Sequence, residues 1–97
     1  MSGEYTGAAT IRNRLGLHAR PAAEFVKLAG QFESEVWVEK DQLEVNGKSI
    51  MGVMMLAAAA GTEILIRAVG ADGEAAVKAL VALVDSGFGE ELEEELG

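Results

Sequence analysis

The chain of 97 residues predicts an α+β domain in two layers, with three helices on one face of a four-stranded, mainly antiparallel sheet. Three observations lead there. Short segments alternate apolar and polar residues in period two. Two longer segments repeat apolar residues at helical spacing, and a third, short one follows a serine suited to capping a helix. Turn residues separate these pieces in the order βαββαβα.

Tyr5 to Arg12, rich in Thr and small residues with Ala9 and Ile11 on one face, reads as the first strand. From Ala19 to Ala29, the residues Ala22, Phe25, Val26 and Ala29 form one apolar stripe, which Gly30 ends. Glu35 to Glu39 and Leu43 to Val45 alternate on either side of Lys40-Asp41-Gln42, which reads as a hairpin. Ser49 is a good N-cap for a short helix over Ile50 to Leu56, and Gly61 leads into a strand over Thr62 to Val69. After Asp72-Gly73, the spacing of Val77, Leu80, Val81 and Val84 predicts a last helix that closes near Gly87. One domain over residues 1–88 is expected, with an acidic tail or helix extension over 89–97. Trp37 falls out of phase with Val36 and Val38, on the open face of the sheet.

Composition excludes several functions. The chain has no cysteine, so disulfides, a zinc ribbon and thiol redox chemistry are out, and it is compatible with a reducing compartment. A net charge of −8 argues against direct nucleic-acid binding. Neither a signal peptide nor a membrane span is visible, because the apolar run Ile50 to Ala60 is interrupted by Gly52 and lacks a basic leader. A cytoplasmic protein without membrane insertion is therefore expected. Charge is uneven: Arg12, Arg14, Arg20 and Lys27 lie in a stretch with only Glu4 and Glu24, whereas Glu90, Glu91, Glu93, Glu94 and Glu95 crowd the end. The basic region suits an acidic or phosphorylated partner, and it also reads as ordinary solvated charge.

The motif Gly16-Leu17-His18-Ala19-Arg20-Pro21-Ala22 carries the chemistry. Pro21 lacks a backbone N–H and has a fixed φ, which places a helix start here, with Ala19 at its first position. His18, the sole histidine, then stands beside the free N–H groups and positive dipole end of that helix, where an anion such as phosphate binds. Arg20 adds a planar cation whose fork fits phosphate oxygens. An enzyme acting on its own substrate is disfavoured: the chain shows no metal-ligand cluster, no paired-carboxylate signature and no Gly-rich nucleotide loop, and no metal or cofactor is called for.

That motif, followed about thirty residues later by Lys48-Ser49-Ile50-Met51-Gly52-Val53-Met54, closely resembles the histidine-containing phosphocarrier (HPr) family of the bacterial sugar phosphotransferase system. The resemblance covers nearly the whole chain and implies an open-faced β-sandwich of the same βαββαβα order. It implies a carrier rather than an enzyme, one that accepts a phosphoryl group from phosphorylated enzyme I, itself charged by phosphoenolpyruvate, and passes it to sugar-specific IIA components. His18 matches the phosphorylated histidine, which carries the group on Nδ1, and Arg20 matches the arginine that holds the phosphoryl oxygens. Pro21 and Ala19 set the helix entry. Ser49 matches a serine that, in a regulated branch, an HPr serine kinase/phosphorylase modifies, so that the product binds a catabolite-control transcription factor. Leu17, Ile50, Met51 and Met54 are implied as the partner-docking face, with Val53 and Leu56 in the core. One departure is Leu15, where the family commonly has Ser, Asn or Thr; polar help at the site then falls to backbone groups or to Asn13.

Two further readings stand beside the sugar carrier. An HPr-like regulator of a nitrogen-related or other regulatory phosphotransfer chain would use the same histidine. A ferredoxin-like small-molecule sensing domain would share the alternating elements but need no phosphohistidine, and the paired His18 and Ser49 motifs argue against it.

Overall fold

The computed structural model describes residues 3–93. Its elements are β1 (Gly3–Thr10), α1 (Ala19–Ala29), β2 (Glu35–Lys40), β3 (Leu43–Asn46), α2 (Ile50–Met55), β4 (Glu63–Gly70) and α3 (Gly73–Asp85), followed by a 3-10 turn at Gly87–Gly89. The sheet order is β1-β4-β2-β3 and every pairing is antiparallel. β1 starts two residues before the expected Tyr5, because it pairs along the whole of β4, from Gly3 opposite Gly70 to Thr10 opposite Glu63. At the β2–β3 hairpin, Asp41 and Gln42 both have positive φ (52° and 69°), the backbone hand that matches strand twist in a two-residue turn.

The alternation read from the sequence decides which side of the sheet is covered. Val36, Val38, Ile64, Ile66 and Ala68 are at most 1% exposed and meet the stripes of the helices, Phe25 from α1, Val53 from α2, Leu80 and Val84 from α3. The opposite face stays open. There Trp37 stands where expected, with the Arg67 guanidinium 5.7 Å from its ring centroid and bonded through Nε to Glu44 at 3.0 Å. Glu44 is the main cause of the upward shift of the Arg67 pKa.

The start of α3 is tied to the loop before β2. The Asp72 carboxylate accepts hydrogen bonds from Glu33 N at 2.9 Å, from Ser34 N at 3.0 Å and from the Ser34 hydroxyl. The Ser34 hydroxyl, followed by the Glu33 N–H, holds the Asp72 carboxyl below the usual carboxylate range.

Of the two forms expected after residue 88, a tail or a helix extension, the second is not found, since the described residues 89–93 do not continue α3. The helix stops at Asp85; Gly87 then takes φ 77° and Phe88 φ 59°, with the Phe88 ring turned into the core. The chain next runs back along Arg12–Arg14: Glu93 N donates to Arg12 O at 2.7 Å, Arg14 N to Glu91 O at 2.9 Å, and Asn13 and Leu92 form an antiparallel bridge. The positive φ of Gly87 is a backbone conformation that side chains rarely adopt, which favours glycine at this turn. Residues 94–97 of the expected tail lie outside the described residues.

Candidate functional site

The site is built where β1 hands over to α1. Gly16, at φ 71°, turns the chain so closely against Ala58 O that a Cβ would come within 2.5 Å of it, and Leu17 N donates to the same oxygen at 3.0 Å. His18 follows as the N-cap of α1 in extended backbone, and its side chain makes no capping bond. Ala19 and Pro21 are the first and third helical residues, as the motif predicts. Among the described residues no acceptor meets the N–H groups of Ala19 and Arg20, so the dipole end of α1 is open beside the imidazole.

Glu90, brought here by the returning segment, faces His18. Its carboxylate oxygens lie 2.9 and 3.0 Å from His18 Nε2, it accepts from Asn13 Nδ2 at 3.0 Å, and Arg20 Nη1 pairs with it. Burial opposes ionisation of Glu90, but the bonds from His18, Asn13 and Arg20 outweigh it and hold the carboxyl below its usual range. Asn13 is fully buried and fixed by a second bond from Nδ2 to Gly16 O at 2.7 Å. Of the two sources of polar help expected in place of Leu15, Asn13 is thus the one whose side chain enters the site. Arg20 also reaches Glu24 at 3.6 Å, one turn along α1, and Arg14 Nε pairs with Glu91 at 3.2 Å on the flank. Nothing in the sequence singled out Glu90, one of five glutamates in an acidic run.

Ser49 caps α2, its Oγ accepting from Gly52 N at 3.0 Å. Of the residues expected to form a docking face, Ile50, Met51 and Met54 are exposed, Met51 most of all at 76%. Leu17 is not among them: at 5% exposure it belongs to the core, because the bond of its N–H to Ala58 O draws it under the turn. Leu15, 62% exposed, and Met55 are further exposed apolar residues. Val53 and Leu56 are buried as expected. Among the described residues no cluster of His, Asp or Glu is arranged to hold a metal ion, and no helix is long and apolar enough to cross a membrane.

The chain has counterparts among known proteins. The family model for the PTS HPr component phosphorylation site matches residues 5–86. The chain belongs to the HPr family. It is 56% identical over 80 residues to phosphocarrier protein HPr of Neisseria meningitidis, covering 82% of this chain and 90% of that protein. It is 50% identical over 74 residues to the HPr-like protein Crh of Bacillus subtilis, with 76% and 87% coverage. The crystal structure of HPr from Thermoanaerobacter tengcongensis superposes with a TM-score of 0.86 at 52% identity, over 91% of this chain and 99% of that one. HPr structures share the open-faced sandwich found here. HPr membership supports a phosphocarrier role in the phosphotransferase system, with proteins of that system as partners.

Proposed function

We propose that the chain carries a phosphoryl group on Nδ1 of His18, taking it from phosphorylated enzyme I and giving it to sugar-specific IIA components. The observation that carries this reading is the position of His18: at the uncapped start of α1, with Nε2 engaged by Glu90 and Nδ1 meeting no partner among the described residues. A neutral ring nitrogen is a competent nucleophile near pH 7, and phosphoryl transfer asks the protein mainly to position groups and stabilise charge. Open N–H groups at the helix start and the Arg20 guanidinium supply that stabilisation. Exposed Ile50, Met51 and Met54 form the apolar part of the docking face. The test is phosphorylation with phosphoenolpyruvate and enzyme I. An acid-labile mass gain on the wild type, absent from His18→Ala, supports the reading; an unmodified wild type beside an active control HPr refutes it.

Likeness to Crh, whose solved structure is described as a catabolite repression protein, favours a second, regulatory modification on Ser49. Ser49 Oγ already lies at a helix start, so a phosphate there sits at the dipole end and adds about two negative charges beside Ile50 and Met51. The modified form would repel an acidic partner, weaken enzyme I docking and serve a catabolite-control transcription factor. Incubation with an HPr serine kinase/phosphorylase and ATP should give an acid-stable mass gain that Ser49→Ala abolishes; no gain on the wild type beside a modified control HPr removes this reading.

A further inference from the structure

We propose that Glu90 is a positioning residue for phosphoryl transfer, which keeps the ring proton of His18 on Nε2 and thereby selects Nδ1 as the nucleophile. The inference rests on the carrier reading above and adds a residue to it. An ionised carboxylate only accepts hydrogen bonds, so Nε2, at 2.9 and 3.0 Å from the two Glu90 oxygens, is the protonated nitrogen. In the neutral ring this leaves the lone pair on Nδ1. Glu90 is itself held on three sides. Asn13 Nδ2 donates to it from the core, Arg20 pairs with it from α1, and the backbone pairing of Glu91–Glu93 with Arg12–Arg14 fixes the segment that bears it. Its side chain is only 14% exposed, against 37% for His18, so the carboxylate lies on the inner side of the ring.

The transfer chemistry gives this contact a purpose. As the Nδ1 lone pair forms the N–P bond, the donor's own bond to phosphorus breaks and its electron pair stays with the donor. No proton leaves the His18 ring, which therefore becomes a cation with its N–H directed at Glu90. The carboxylate stabilises that cation, as a carboxylate does for the histidine of a hydrolase triad. On the onward step the N–P pair returns to Nδ1 and the leaving group is a neutral imidazole. Loss of the Nε2 proton would make it an imidazolate, a far poorer leaving group. Among the described residues, the charged groups around the ring are Glu90 from the C-terminal segment and Arg20 from α1, with Glu24 on Arg20 and the Arg14–Glu91 pair beyond them.

Full-length wild type, Glu90→Gln and Glu90→Ala, with folding checked by circular dichroism, would be compared in two measurements. Nitrogen-15 spectra of the unphosphorylated neutral ring should show Nε2 protonated in the wild type and in Glu90→Gln, whose amide oxygen still accepts, and a mixture of tautomers in Glu90→Ala. Onward transfer from phosphoenolpyruvate and enzyme I to an acceptor IIA should fall by about ten- to a hundredfold in Glu90→Ala, by analogy with the loss seen when the hydrogen-bonded partner of a metal-binding histidine is removed. In Glu90→Gln transfer should also decline at a lower pH than in the wild type, because the uncharged amide no longer holds the ring proton. A purely structural role would move neither the tautomer nor the pH profile. Wild-type rates over the wild-type pH range in Glu90→Ala, or a wild-type ring protonated on Nδ1, overturn the assignment and leave the carrier reading standing. A wild type that takes no label overturns both.

Discussion

The N-termini of α1 and α2, two helices packed together, are built in opposite ways. At α2 the N-cap Ser49 spends its hydroxyl on Gly52 N, and the first turn is closed by its own sequence. At α1 the N-cap His18 makes no such bond and turns its ring toward Glu90, so the first N–H groups stay open. Ordinary helix energetics favours the first arrangement by about 1 kcal/mol. The second forgoes that stabilisation and leaves N–H groups at which an anion can be received, as the proposed carrier role requires.

The largest effect should come from removing the side chain that stands at the open end. His18→Ala removes the proposed phosphoryl acceptor and is expected to abolish labelling from phosphoenolpyruvate, while urea unfolding shifts by less than about 1 kcal/mol, since only a partly exposed pair with Glu90 is lost. Next comes the turn that presents His18. Gly16→Ala must hold a Cβ at positive φ against Ala58 O and should lose about 2 to 4 kcal/mol, read from the same unfolding curves; a smaller loss would mean that the turn relaxes. Third, Ser49→Ala leaves Gly52 N uncapped and should lower stability by about 1 kcal/mol, or about 4 to 8 °C in Tm. His18→Ser should move the other way, about 0.5 to 1 kcal/mol more stable than His18→Ala, because serine caps what alanine cannot. Equal melting of those two variants would show that α1 cannot be closed as α2 is.

The smallest effect is set by pH. Asp72 and Glu90 have folded values below their unfolded ones, near 3.9 and 4.3, so the stability they add is present above those unfolded values and is lost as pH falls through the lower folded values. Acid unfolding of Asp72→Asn and of Glu90→Gln should therefore depend less steeply on pH than that of the wild type over this acid range. A slope unchanged in both would detach these carboxylates from folding.

Local signals carried most of the fold. Period-two alternation marked Val36, Val38, Ile64 and Ile66 as core and left Trp37 outside, and Pro21 with Ser49 marked two helix starts within a residue. What escaped was set by pairing across the chain. β1 begins at Gly3 because β4 is there to meet it, a register no local pattern records. The family resemblance implied Leu17 as a docking residue, yet its N–H bond to Ala58 draws it inward. Half of the site was legible in the motif around His18. The other half, Glu90 on Asn13, joins residues 77 apart, and nothing in an acidic run tells which glutamate will turn inward.

The placement of Trp37 also has a practical consequence. It is the sole tryptophan, and it lies on the sheet face away from the helices, stacked under Arg67. Its fluorescence therefore follows the packing of the sheet. Emission will report melting of the domain and so gives every variant named above a check of folding that is separate from its assay of function.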